Sequence, residues 1–186
     1  VEGEPANLSC AMNRFSNPLV WLVRIRHRCG YGVHSPFAFR FLTGVVYERT
    51  PYYAYATLDP ALPWGMRLRR KKGLHLLLRL ANWLQPQVVV APGDASFARS
   101  YLLAGCRHAA LYGSLPACGA DMVLLREPDD RAARAVRDGG ILVLDGLRGH
   151  REWFRNLPAA LTFDLYDVGV AIYESRLAKQ HYIINF

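Results

Sequence analysis

The residues best placed for chemistry lie in Gln87-Val88-Val89-Val90-Ala91-Pro92-Gly93-Asp94-Ala95-Ser96. Small and β-branched apolar residues run into a glycine turn, and 97–106 then reads as a helix. A short apolar run bounded by turn residues suits a buried strand of a parallel sheet. Strand, tight turn and helix together form the unit that brings free helix N-terminal N–H groups against a nucleotide. Here the turn carries one glycine, Gly93, where a full dinucleotide fingerprint has three.

Further candidates lie outside that loop. Asp145 follows the apolar run Ile141-Leu142-Val143-Leu144 and is either a site carboxylate or a strand-end residue capping the next turn. His34 either faces a cleft as a general base or hydrogen-bonds the Ser35-Pro36 turn. Tyr52, Tyr53 and Tyr55 either border a pocket or plug a helical cap onto the core, since each has an apolar body and a polar tip. Arg67-Leu68-Arg69-Arg70-Lys71-Lys72 is either a solvated face or a phosphate contact. No zinc finger or helix-turn-helix accompanies it, so nucleic acid is not the favoured partner. Cys10, Cys29, Cys106 and Cys118 lack metal-ligand spacing and read as free thiols, and no His-Glu-x-x-His or Cys-x-x-Cys occurs. No metal site is expected.

The elements that would hold these residues follow from periodicity. Asn17-Pro18 predicts a helix start, with 19–28 amphipathic and either packed on the domain or meeting anionic lipid or a partner. Ser35-Pro36 predicts a second helix, with Phe37, Phe41 and Val45 on one face. An apolar helix around Leu74, Leu77, Leu78 and Ala81 stops at Gln85-Pro86. Strands are expected at 88–91, 109–112, 121–125, 141–144, 162–166, 170–173 and 180–186. Helices are expected at 97–106, at 129–137 (ended by Gly139-Gly140) and at 151–157. Asp167-Val168-Gly169 is a hairpin signal. This alternation means an α/β fold, mostly parallel with a late antiparallel hairpin.

At 186 residues and 52% hydrophobic, the chain supports one compact core with an N-terminal extension. No apolar run reaches membrane-spanning length and no secretory leader pattern opens the sequence, so a cytoplasmic location is expected. The charge is lopsided. Residues 1–86 hold twelve Lys/Arg against four Asp/Glu, whereas 87–186 hold eleven of each, so the whole net charge of +8 belongs to the first half. Two regions follow: a basic helical cap over 1–86 and an α/β core over 87–186. A basic partner surface belongs to the cap.

Two stretches carry a resemblance. Gly32-Val33-His34-Ser35-Pro36-Phe37-Ala38-Phe39, with Tyr52-Tyr53-Ala54-Tyr55 downstream, resembles the opening of a bacterial family of class I S-adenosylmethionine-dependent methyltransferase-like proteins typical of Bacteroidetes. Lys179-Gln180-His181-Tyr182-Ile183-Ile184-Asn185-Phe186 resembles its closing strand. The resemblance implies a Rossmann-like sheet ending in an antiparallel hairpin, with S-adenosylmethionine as cofactor and a small-molecule methyl acceptor. It places Pro92, Gly93, Asp94, Ala95, Ser96, Tyr112 and Gly113 at the cofactor, Asp145 beside the donor sulfur and His34 at the cleft. The centre departs from the family pattern. Ala91 stands where an acid is usual, and Leu111-Tyr112-Gly113-Ser114 offers no carboxylate for the ribose. A helix and strand between Tyr112 and Asp121 are missing, and Gly146 and Arg148 replace an acid and a histidine. These departures imply impaired or lost cofactor binding. A non-catalytic scaffold that binds a protein or acidic partner through the basic half is the alternative.

Overall fold

The protein's structure, a computed structural model, describes Val33 and residues 35–186. The expected helix at 19–28 and His34 lie outside the described residues. Seven strands form one sheet: β1 (Val88–Val90), β2 (Ala110–Tyr112), β3 (Ala120–Leu125), β4 (Val136–Asp145), β5 (Leu161–Asp164), β6 (Val168–Ile172) and β7 (Gln180–Ile183). Their order is β2-β1-β3-β4-β6-β5-β7. Only β6 is reversed. It pairs antiparallel with β4 and β5, while β7 closes the far edge parallel to β5. The α/β, Rossmann-like class is therefore as the sequence predicts.

Helices α1 (Pro36–Phe41), α2 (Tyr53–Leu58), α3 (Trp64–Arg69) and α4 (Lys71–Leu84) precede the sheet. Ser35 caps α1 by accepting the Ala38 N–H at 3.3 Å, and Pro36 occupies the first turn, where its missing N–H costs nothing. The chain then continues as a π-helical turn, Leu42–Val46, and Phe41 and Val45 stay buried across the change of pitch. Helix α4 ends because Gln85 adopts φ 50 and Pro86 follows. Helix α5 (Ser96–Gly105) crosses from β1 to β2. α1, α4 and α5 cover one sheet face, on Phe41, Leu76, Leu80, Tyr101, Met122 and Phe163. α6 (Asp130–Arg134), the 3₁₀ turn Leu147–Gly149 and α7 (Arg151–Arg155) cover the other, on Val123, Leu142, Leu144 and Phe154.

Two local expectations are corrected. The helix expected at 129–137 stops at Arg134, and β4 begins at Val136. Gly139-Gly140 is not a helix terminator but a bulge within β4, where register with β3 jumps from Ala120–Val136 to Met122–Ile141. Gly139 has φ 79, and a Cβ on Gly140 would meet the Arg137 and Asp121 carbonyls at 2.8 Å. Glycines are needed there to bring the chain back onto β3. The hairpin turn likewise sits at 165–167 rather than 167–169. Tyr166 takes φ 82, steadied by its N–H donating to Asp164 Oδ1 at 2.8 Å. Gly169 lies inside β6, where a Cβ would strike the Phe154 ring at 2.7 Å.

Candidate functional site at the sheet edge

Because β1 to β4 run parallel, their C-terminal ends share one edge, where open α/β sheets bind ligands. The 92–96 loop, Tyr112-Gly113 and Asp145 all reach that edge. Ala91 and Ala95 are buried, Pro92 is half-buried, and Gly93, Asp94, Ser96, Tyr112 and Gly113 are exposed. The turn closes with the Ala95 N–H donating to the Pro92 carbonyl at 3.0 Å. Nothing lies within 4 Å of the position a Gly93 Cβ would take. Packing within the chain therefore does not demand glycine here.

Three acceptors at this edge pair with arginines. Arg99 donates from Nη1 to the Ala91 carbonyl at 3.0 Å. Arg126, just beyond β3, forms an ion pair with Asp94. Arg70, at the break between α3 and α4, donates to Asp145 Oδ2 at 3.0 Å. This bond ties the helical cap to the end of β4. The basic run stays at the surface but makes local contacts: Lys71 pairs with Asp59 at 2.7 Å, and Lys72 stands over the Phe186 ring at 4.4 Å.

The densest polar constellation near this edge has no motif in the sequence. Asp59 accepts three bonds: from Tyr101 O–H at 2.6 Å, from His75 Nε2–H at 2.8 Å and from Lys71 at 2.7 Å. Tyr55 stacks flat on His75, with ring centroids 3.6 Å apart. Burial alone would raise the Asp59 carboxyl, but the bonds from Lys71, Tyr101 and His75 outweigh it and hold the group down to about 2. Burial and then Asp59 push the fully buried Tyr101 phenol up. Tyr55 is also pushed up, to about 12, chiefly by burial. Of the tyrosine cluster, then, Tyr55 packs on the cap's polar core while Tyr53 is 99% exposed. The one sequence signal for Asp59 is its place four residues after Tyr55, on the same side of a helical turn.

At the opposite edge of the sheet lie two hollows of about 360 and 370 Å³ that share Asp138. Asp138 accepts from the N–H and hydroxyl of Ser175 at 2.7 and 2.8 Å. Among the described residues, no group of three or more His, Cys, Asp or Glu could hold a metal ion. Nor, among them, is any helix long and apolar enough to cross a membrane. No protein-family model and no curated protein matches the chain.

Proposed function

We propose that the chain is a methyltransferase-like scaffold that does not bind S-adenosylmethionine and instead binds an acidic partner through its basic N-terminal half. The observation that carries this reading is Arg70 on Asp145, with Arg126 on Asp94 and Arg99 on the Ala91 carbonyl beside it. S-adenosylmethionine brings a sulfonium, an ammonium and a carboxylate, and its two cationic groups need acceptors at this edge. Three guanidiniums already bond to acceptors there, each through one oxygen. Like charges 4 Å apart repel by about 1 kcal/mol in water and by more where water is excluded. The ribose diol would also face Tyr112-Gly113-Ser114, which holds no carboxylate. The residues present do not fit the cofactor.

What supports the partner half is the distribution of charge. The first 86 residues carry all of the net +8, and Trp64, at 78% exposure, stands at the start of α3 within this cationic region. Poly-glutamate titrated into the protein at low salt is expected to bind and to change tryptophan emission. The affinity should fall steeply towards 0.5 M salt, where screening shortens to about 4 Å. Absence of binding at low salt, or binding indifferent to salt, would remove the acidic-partner half of the reading.

A further inference from the structure

β7 is the outer strand on the far side of the sheet and pairs with β5 alone. At its two ends the Gln180 N–H donates to the Ala160 carbonyl and the Ile184 N–H to the Asp164 carbonyl, both at 2.8 Å. Beyond the strand, Ile184 is buried, and the Asn185 carbonyl accepts the Tyr47 hydroxyl at 2.7 Å. Phe186 lies under the Lys72 ammonium of α4. Residues 184–186 thus tie the end of β7 to the helical cap.

His181 stands in the middle of this strand, in register with Thr162. Leu161 and Phe163 belong to the face covered by α1, α4 and α5, so alternation turns Thr162, Asp164 and His181 to the α7 face. The buried Thr162 hydroxyl and His181 Nδ1 share a hydrogen bond at 2.8 Å. Nε2 is buried as well and has no hydrogen-bond partner. Two elements bring charged groups to this ring. β5 supplies Asp164, which already accepts from Arg151 Nε and from the Tyr166 N–H, each at 2.8 Å. α7 supplies Arg151 and, one turn later, Arg155. On the strand itself Tyr182 turns to the other face and stacks on Phe163, while Lys179 just before it donates to the Leu157 carbonyl.

An imidazolium fits this place poorly. Both ring nitrogens would then carry N–H groups, and the one at Nε2 would find no acceptor. An unmade buried donor and a second cation near Arg155 both favour the neutral ring. Burial first, then Arg155, hold the His181 pKa below 6.5 against the pull of Asp164. We propose that His181 is a pH-sensitive latch: protonating its ring in mild acid releases β7 and unties residues 184–186 from the cap. Release stays local because β7 has a single neighbour in the sheet. The sign follows from linkage. In the open strand the ring charges near 6.5, and in the closed strand only at lower pH, so closure holds in full above 6.5 and weakens as the pH falls below it.

Amide hydrogen exchange followed by NMR, corrected for the intrinsic rate at each pH, tests the latch. One proton taken up on opening is expected to raise the opening constant at Gln180 and Ile184 about tenfold from pH 7.5 to 5.5. Val123, in β3, is expected to stay unchanged over that range. His181→Gln carries an amide that does not titrate and is expected to flatten the rise. Arg155→Gln alters an exposed side chain, removes the repelling cation and is expected to shrink the rise. It decides the matter if the first variant unfolds. No rise in the wild type, an equal rise at Val123, or a rise that neither folded variant changes would overturn the proposal.

Discussion

Gly105→Ala is expected to cost about 3 kcal/mol, the upper end for overpacking a tight contact, and to lower the melting temperature by about 10 °C. A Cβ at Gly105 would stand 2.3 Å from the Leu78 carbonyl and 2.9 Å from the Ala81 Cβ. The obstacle is helix backbone, which cannot rotate aside as a side chain can. α4 and α5 would have to separate, and they carry Leu76, Leu78, Leu80 and Leu102, all buried. They also carry His75 and Tyr101, so separating them pulls apart the bonds to Asp59. Thermal melts by circular dichroism check this. A melting temperature within 2 °C of wild type would show that the two helices are not locked at this point.

Asp59→Asn is the second large effect, at about 3 kcal/mol near neutral pH, because an amide turns an N–H₂ towards donors that need an acceptor. Tyr101 has no exposure to water with which to replace the lost bond. The pH dependence has a definite sign. The folded carboxyl, at about 2, lies below its ordinary value of 3.8. Its contribution, about 2 kcal/mol, is present in full above about pH 5. It disappears as the pH falls through 3.8 to 2, where the native carboxylate is protonated. Urea melts of wild type and variant should therefore differ most at pH 5–7 and converge towards pH 2. A gap that stays constant across that range would mean that the carboxylate charge is not what Lys71, His75 and Tyr101 read.

The sheet was legible because its strands are short apolar runs separated by helices. Val88-Val89-Val90 and Ile141-Leu142-Val143-Leu144 could be little else. What misled were glycines, since a glycine marks either a turn or a close approach and the sequence does not say which. Gly139-Gly140 looks like a helix stop and is a bulge. Gly169 looks like part of a hairpin turn and makes room for Phe154. Gly105 attracts no notice and sits at the tightest contact between helices. The turn of β5–β6 instead uses Tyr166, a residue with no turn preference, held by Asp164.

For the site, the strand–turn–helix unit with its loop at 92–96 was readable, and so was the absence of an acid at Ala91 and at Tyr112-Gly113. The partners of the remaining acids were not. Asp145 and Arg70 are 75 residues apart, and nothing local in either stretch predicts their meeting. The Asp59 network is hidden for the same reason: its four members come from a loop and two helices, with no spacing rule to link them. The basic run 67–72 reads as a solvated face or a phosphate contact; Arg70 and Lys71 stay largely exposed while each pairs with an acid of the fold, and no spacing rule announces those pairs.

In the proposed function, the arginines at the sheet edge leave no place for S-adenosylmethionine. Calorimetric titration of S-adenosylmethionine and S-adenosylhomocysteine into the purified protein tests it most directly, with Gly93→Trp as control. No heat of binding up to millimolar ligand is the predicted result. Saturable micromolar binding, roughly −8 kcal/mol, that the control abolishes would contradict it and return the chain to the enzymes.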